Sequence, residues 1–168
     1  HLVLGPISVD GIDSKIHLTQ IESAQEMYEA CSEMFINCDA AILSAAVADY
    51  RPAAQEDQKI KKKTEEFNLE LVKTVDVLKS LGEIKKSHQF LAGFALETQN
   101  EQKNALLKLE NKNLDFIVLN SMNDKGAGFG KDTNKITILE KNGKKHTFDT
   151  KPKKNVAIDI VNLLAAYL

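Results

Sequence analysis

The chain has 168 residues, 43% hydrophobic and 27% charged, the composition of a single ordinary globular domain, which excludes wholesale disorder. Its 22 Lys and Arg against 24 Asp and Glu give a formal net charge of −2, whereas a domain built to hold nucleic-acid backbone is normally basic. No apolar run approaches the ~20 residues that span a bilayer, and neither the two cysteines nor the four scattered histidines have disulfide-framework or zinc spacing. No nucleic-acid and no membrane partner is therefore expected, and reduced thiols at Cys31 and Cys38 suit a cytoplasmic protein.

The sequence opens His1-Leu-Val-Leu-Gly-Pro6 inside an apolar strand and without an initiator Met, so it is expected to be part of a longer protein. Lys15–Thr19 is a second extended piece. Ser23-Ala-Gln-Glu26 is a capping box, and the apolar residues after it recur at helical spacing through Phe35. Ala40–Ala45 is a continuous apolar run, the pattern of a strand covered on both faces. Ala46–Gln58 is polar and contains Arg51-Pro52, so it is expected to be a loop. Phe67–Leu71 alternates with period two, as a strand does, and Thr74–Lys86 is helical. Phe90–Ala95 is a buried strand. Thr98-Gln-Asn-Glu101 is a second capping box, opening a helix to about Lys112, and Leu114–Leu119 is the next strand. Asn120–Asn134 is a loop rich in Gly, Asn and Asp. Lys135–Glu140 and Lys144–Asp149 flank Asn142-Gly143, a two-residue hairpin signal. Thr150 caps a last helix with Pro152 in its first turn.

Strands alternating with single helices predict an α/β fold, a Rossmann-like, largely parallel sheet flanked by helices, with a C-terminal antiparallel hairpin. In such sheets ligands bind outside the carboxyl ends of the strands. That selects Ala45–Asp49, Lys73–Leu78, Phe94–Thr98 and the loop from Asn120. The run Lys59–Lys63 reads either as a solvated stretch or as a phosphate clamp. Lys108 and Lys112, four apart on one helix, read either as surface lysines or as partners in that clamp. Asp49 is either a turn residue or a ribose contact. Gly126–Gly130 looks like a glycine-rich phosphate loop but opens no helix, which favours a plain loop.

The run AAILSAAVADYRP at Ala40–Pro52, followed by KIKK at Lys59–Lys62, resembles the hallmark of the phosphopantothenoylcysteine synthetase family. Other segments agree in order: Val3–Pro6, Leu71–Lys73 with Val75–Leu78 (Val75 standing where the family has proline), Gly93-Phe-Ala-Leu-Glu-Thr98, Lys112–Asp115 before a strand and Asn120, Gly128-Phe129 and the last hairpin. The resemblance covers essentially the whole chain. It implies a ligase of coenzyme A biosynthesis that joins 4'-phosphopantothenate to L-cysteine through an acyl-cytidylate, converting CTP to CMP and pyrophosphate. It implies Mg2+ with the CTP, no flavin in this domain, a homodimer paired through the Lys135–Asp149 hairpin, and fusion to a flavin-dependent decarboxylase domain in a multifunctional enzyme. By matching position it makes Leu43, Ser44, Ala45, Asp49, Lys59, Val75, Asp76, Val77, Leu78, Phe94, Lys108 and Lys112 the nucleotide-binding candidates, with Lys59 catalytic through charge stabilisation. No metal ligand is assigned. The family's upstream loop with an Ile-Ser-Asn-Arg-Ser-Ser-Gly-like motif, which handles the acyl-cytidylate, is not in this sequence, so residues 1–168 are expected to be one synthetase domain lacking its N-terminal strand–helix segment. Two other readings compete: a non-catalytic polyphosphate- or nucleic-acid-binding module, separated by testing CTP selectivity against RNA at varied salt, and a dinucleotide-dependent oxidoreductase, opposed by the missing glycine fingerprint.

Overall fold

The computed structural model describes residues 1–7, 9–54, 56, 58–61, 67–121 and 131–168, with only the backbone of Ser121. In chain order the elements are β1 (Leu2–Leu4), β2 (Leu18–Gln20), α1 (Ala24–Phe35), β3 (Ala40–Leu43), β4 (Tyr50–Pro52), β5 (Leu71–Lys73), α2 (Val77–Ile84), β6 (Phe90–Glu97), α3 (Glu101–Asn111), β7 (Phe116–Ser121), β8 (Thr133–Asn134), β9 (Ile136–Glu140), β10 (Lys145–Thr147), β11 (Lys151–Pro152) and α4 (Lys153–Ala165). They divide into two compact units, His1–Cys31 with Ala45–Val77, and Ser32–Ser44 with Leu78–Leu168. Among the described residues no helix is long and apolar enough to cross a membrane.

In the first unit, β1 and β2 pair in parallel, Leu2 opposite Leu18 and Leu4 opposite Gln20. The capping box forms at the start of α1: the Glu26 N–H donates to Ser23 Oγ at 3.2 Å, and the Ser23 N–H donates to Glu26 Oε2 at 3.0 Å. The Glu22 N–H donates to the same oxygen at 2.6 Å. These amides, Glu22 foremost, favour the ionised form and hold the Glu26 carboxyl below its usual value. Buried Met27 follows one turn into the helix. β4 and β5 form an antiparallel ribbon, Tyr50 opposite Lys73 and Pro52 opposite Leu71. The expected loop Ala46–Gln58 thus contains a strand, because the residue before a proline is pushed towards extended geometry as well as away from helix. The strand expected at Phe67–Leu71 instead occupies Leu71–Lys73, and Phe67, Leu69 and Leu71 are all exposed. Their alternation has no buried face to serve.

The second unit is built on a five-stranded sheet in the order β10-β9-β7-β6-β3. β3, β6 and β7 run parallel, and β9 and β10 are antiparallel to their neighbours, which is the largely parallel sheet with a terminal hairpin read from the sequence. One face carries Phe90, Ala92, Phe116, Val118, Ile136 and Ile138, packed with Val156 and Ile160 of α4. Phe90 and Phe116 meet edge to face at 5.1 Å. Burying each large apolar side chain contributes ~1.5–3 kcal/mol, so this cluster anchors α4 to the sheet. The other face holds Leu91, Gly93, Ala95, Ile117 and Leu119, with α3 packed on β6 and β7. A Cβ on Gly93 would meet Leu78 Cδ2 at 2.3 Å, which shows how closely the start of α2 approaches β6.

β3 is an edge strand with Ile42 37% exposed, so the burial on both faces expected of Ala40–Ala45 does not occur. A continuous apolar run does not say how many neighbours a strand has. Thr98 does not cap α3. Its N-cap is Asn100, in the left-handed region at φ 48° with no side-chain cap, and the Asn104 N–H donates to the Asn100 carbonyl at 2.9 Å. Asn tolerates that backbone better than other residues that carry a Cβ. Thr150 does not cap α4 either: Lys151–Pro152 pairs with β8, and Pro152 is the N-cap.

Polar side chains close the element ends. Buried Gln89 donates from Nε2 to the carbonyls of Phe35 and Cys38 at 2.5 and 2.7 Å, satisfying groups that the end of α1 leaves open. Lys85, 7% exposed, pairs with Asp115 at 2.7 Å, and the same carboxylate oxygen accepts the Leu91 N–H at 2.7 Å. The Asn142-Gly143 turn forms with Gly143 at φ 88°. Beside it, Glu140 is 3% exposed, accepts from Asn142 Nδ2 at 2.9 Å and from the Tyr167 hydroxyl, and meets His146 Nε2.

Candidate functional site

Because β3, β6 and β7 are parallel, their carboxyl ends, Leu43, Glu97 and Ser121, lie at one edge of the sheet. That is the edge where open α/β sheets bind ligands. Leu43, half-buried, pairs in register with Gly93, and Ser44 follows it, exposed. Phe94 is half-buried on β6 and packs against the core cluster. Leu78 reaches Gly93 from the start of α2. The structure therefore brings Leu43 of β3 and Leu78 of α2 to Gly93 of β6, though they lie far apart in sequence, while the next residue, Phe94, faces the opposite side of the sheet with the core cluster.

Lys108 and Lys112 share a face of α3 and its C-terminal cap, and the Lys112 N–H donates to the Lys108 carbonyl at 3.0 Å. Lys108, its side chain 44% exposed, sets its Nζ 2.7 Å from Oε1 of Glu97, whose side chain is 12% exposed. The other carboxylate oxygen accepts from Asn104 Nδ2 at 3.2 Å, and the same amide nitrogen donates to the Gln99 carbonyl at 2.9 Å. Next to them, Thr98–Lys103 line a depression of about 460 Å³. Glu97 lay within the selected segment Phe94–Thr98 but was not named as a nucleotide contact, and Asn104 was not among the sequence candidates. Asn104 was findable, four residues before Lys108 on the same helix face. Glu97 lies on a different element, eleven residues before its lysine, and no local spacing marks the pair.

In the first unit, Ala45 and Asp49 are exposed, and the Asp49 carbonyl accepts the Thr74 N–H at 2.9 Å. The Thr74 hydroxyl donates to the Ala48 carbonyl. Thr74 thus pins the loop carrying Asp49 beside the segment of half-buried Val75, exposed Asp76 and buried Val77. Thr74 is a positioning residue that the motif match passes over. Lys59 is exposed, and no described contact joins it to another candidate. Lys62 and Lys63 of the lysine run, and the glycine-rich stretch Gly126–Gly130 with Gly128-Phe129, lie outside the described residues.

Residues 1–168 match the family described as DNA/pantothenate metabolism flavoprotein C-terminal domain. The chain is 43% identical over 165 residues to the coenzyme A biosynthesis bifunctional protein CoaBC of Bacillus subtilis, a match covering 98% of this chain and 40% of that protein. It is 49% identical over 160 residues to a cysteine/cysteine sulfinic acid decarboxylase from an unknown prokaryotic organism, covering 95% of this chain and 45% of that protein. The crystal structure of the C-terminal domain of a coenzyme A biosynthesis bifunctional protein CoaBC superposes with a TM-score of 0.78 at 38% identity, over 98% of this chain and 73% of that one. The chain thus spans less than half the length of these curated relatives.

Proposed function

Since the chain belongs to the DNA/pantothenate metabolism flavoprotein C-terminal domain family, we propose that it is the ligase part of a coenzyme A biosynthetic enzyme, joining 4'-phosphopantothenate to L-cysteine at the expense of CTP. The observation that carries this reading is the approach of Leu78 to Gly93, the residue of β6 that pairs in register with Leu43 at the carboxyl end of β3, in a chain 38% identical to a CoaBC C-terminal domain of the same fold. In the proposed first step a carboxylate oxygen of 4'-phosphopantothenate bonds to the α-phosphorus of CTP. The bond from that phosphorus to the bridging oxygen breaks, and pyrophosphate leaves with the electron pair. In the second step the cysteine amine attacks the acyl carbon, loses a proton and expels CMP.

Each residue has a role in this scheme. Lysines at Lys59, Lys108 and Lys112 offset the triphosphate charge that develops on the leaving group, as compact point charges do. Asp49 meets the ribose. Backbone at Leu43–Ala45 and at Val75–Leu78 reads the nucleotide by main-chain hydrogen bonds, which explains why Val75 can replace a proline: a backbone contact through the carbonyl is common to both. Phe94 borders the base. Mg2+ enters on the triphosphate as part of the substrate and screens its charge. The same reading pairs two copies through the hairpin of β9 and β10, of which β10 is the edge strand.

The test is calorimetric titration of CTP and ATP into the full-length protein, with and without Mg2+, followed by assay of pyrophosphate release with 4'-phosphopantothenate and cysteine. CTP is expected to bind more tightly than ATP, and pyrophosphate release is expected to require 4'-phosphopantothenate, with cysteine needed in addition only for release of CMP. Equal CTP and ATP affinity, or carbon dioxide released from cysteine without CTP turnover, overturns the ligase reading.

A further inference from the structure

We propose that Glu97 is a positioning residue for the nucleotide: it holds the Lys108 ammonium where a triphosphate oxygen will arrive. This rests on the reading of Lys108 as a phosphate contact. Glu97 is the last residue of β6, at the ligand-binding edge of the sheet, and its carboxylate is mostly removed from water. One oxygen lies 2.7 Å from Lys108 Nζ. The two are at the distance of a charge-assisted hydrogen bond, and that oxygen is buried with no other donor on it among the described residues. The other oxygen takes a hydrogen bond from Asn104, and Asn104 is itself fixed to the Gln99 carbonyl in the loop after β6. Carboxylate, amide and loop therefore brace one another, and the lysine is attached to the brace by its ion pair.

Two physical points give this arrangement a purpose beyond folding. An ion pair whose lysine is nearly half exposed contributes little to stability, because water screens it and the flexible side chain loses freedom. Taking a carboxylate largely out of water against a single half-exposed partner is costly. A pair that is poor for folding is well suited to preorganisation: the lysine's rotational freedom is lost before the ligand arrives. An ammonium has three donor protons, so with one turned to Glu97 the others remain for an anionic oxygen. The ligand this fits is an anionic phosphate, and a nucleoside triphosphate, which carries more negative charge than a monophosphate, gains more from one fixed cation.

The experiment is a double-mutant cycle in the full-length protein with Glu97→Gln and Lys108→Gln, titrated with CTP and with CMP. Gln at position 97 keeps the shape and an oxygen for Asn104 but removes the charge. Glu97→Gln is expected to weaken CTP binding about tenfold, the size of a typical coupled contact, and to leave CMP affinity unchanged. In the Lys108→Gln background it is expected to add nothing. Glu97→Asp, which keeps the charge, recovers part of the loss. Three results overturn the proposal: CTP and CMP affinities falling together, additive effects in the cycle, or tighter CTP binding in Glu97→Gln, which would make Glu97 a competitor of the phosphate. A wild-type protein that binds no CTP overturns the nucleotide reading as well, whereas CTP binding with an additive cycle overturns this inference alone.

Discussion

Lys59 carries the heaviest chemical assignment and the lightest structural one. It is exposed in a polar stretch, and exposed substitutions of this kind change stability by no more than ~0.5 kcal/mol. Lys59→Gln in the full-length protein is therefore expected to leave the thermal midpoint in place while turnover falls ~10²–10³-fold, the usual loss when one charge-stabilising donor is removed. Unchanged turnover would remove Lys59 from the chemistry. Glu26 offers the opposite case, structure without chemistry. Its carboxyl is held below the ordinary 4.5 mainly by the Glu22 amide and then by that of Ser23. A depressed folded-state value means that ionised Glu26 adds stability above the unfolded-state value and loses it as pH falls through the folded one. Glu26→Gln should accordingly lower the thermal midpoint at neutral pH, and the gap from wild type should close on acidification. A gap independent of pH would show that the carboxylate's charge plays no part.

At the level of elements, helical spacing marked α1, a continuous apolar run marked β6, which is buried on both faces, and the Asn142-Gly143 turn signal marked the hairpin. Such patterns misled wherever the neighbour decides. Ala40–Leu43 is apolar throughout yet lies at an edge, and Phe67–Leu71 alternates with no core to meet. Of three helix starts signalled by a side chain, only Ser23 caps. At the other two, Asn100 and Pro152 take over, the latter because β11 pairs with β8 and fixes the backbone before the helix begins. The candidate site divides in the same way. Lys108 could be read from helical spacing, but its carboxylate partner on β6 could not, because a strand–helix contact leaves no periodic trace. Gly82 marks another such contact: a Cβ there would lie 2.0 Å from the Lys112 carbonyl oxygen, and Gly82's own carbonyl accepts Asn113 Nδ2 at 2.9 Å. Backbone cannot swing aside as a side-chain tip can. Gly82→Ala is expected to cost ~1–3 kcal/mol, as overpacking does, read as a lower denaturant midpoint. An unmoved midpoint would mean that α2 and the end of α3 slide apart freely.

Taken as a whole molecule, the 168 residues hold every nucleotide candidate but not the acyl-handling loop that the resemblance calls for. On that reading this chain alone should bind CTP and fail to complete ligation. Positioning of the reacting groups can supply ~7–11 kcal/mol of a barrier, so pyrophosphate release is expected to drop at least about a thousandfold against the full-length protein at matched CTP occupancy. Comparable rates would relocate the acyl site to within these residues. The buried Glu140 has a consequence of another kind. The chain has three tyrosines and no tryptophan, so its ultraviolet emission comes from phenols alone. A phenol bonded to a carboxylate passes its proton across on excitation and emits weakly, and Tyr167 donates to Glu140. Tyr167 is therefore expected to emit weakly in the folded chain and to brighten when it comes away from Glu140. Tyr167→Phe should leave the emission of the folded chain nearly unchanged while removing about a third of that of the unfolded chain, one phenol of the three. If both states lose the same fraction, the tail is not docked, and its release cannot be followed by light.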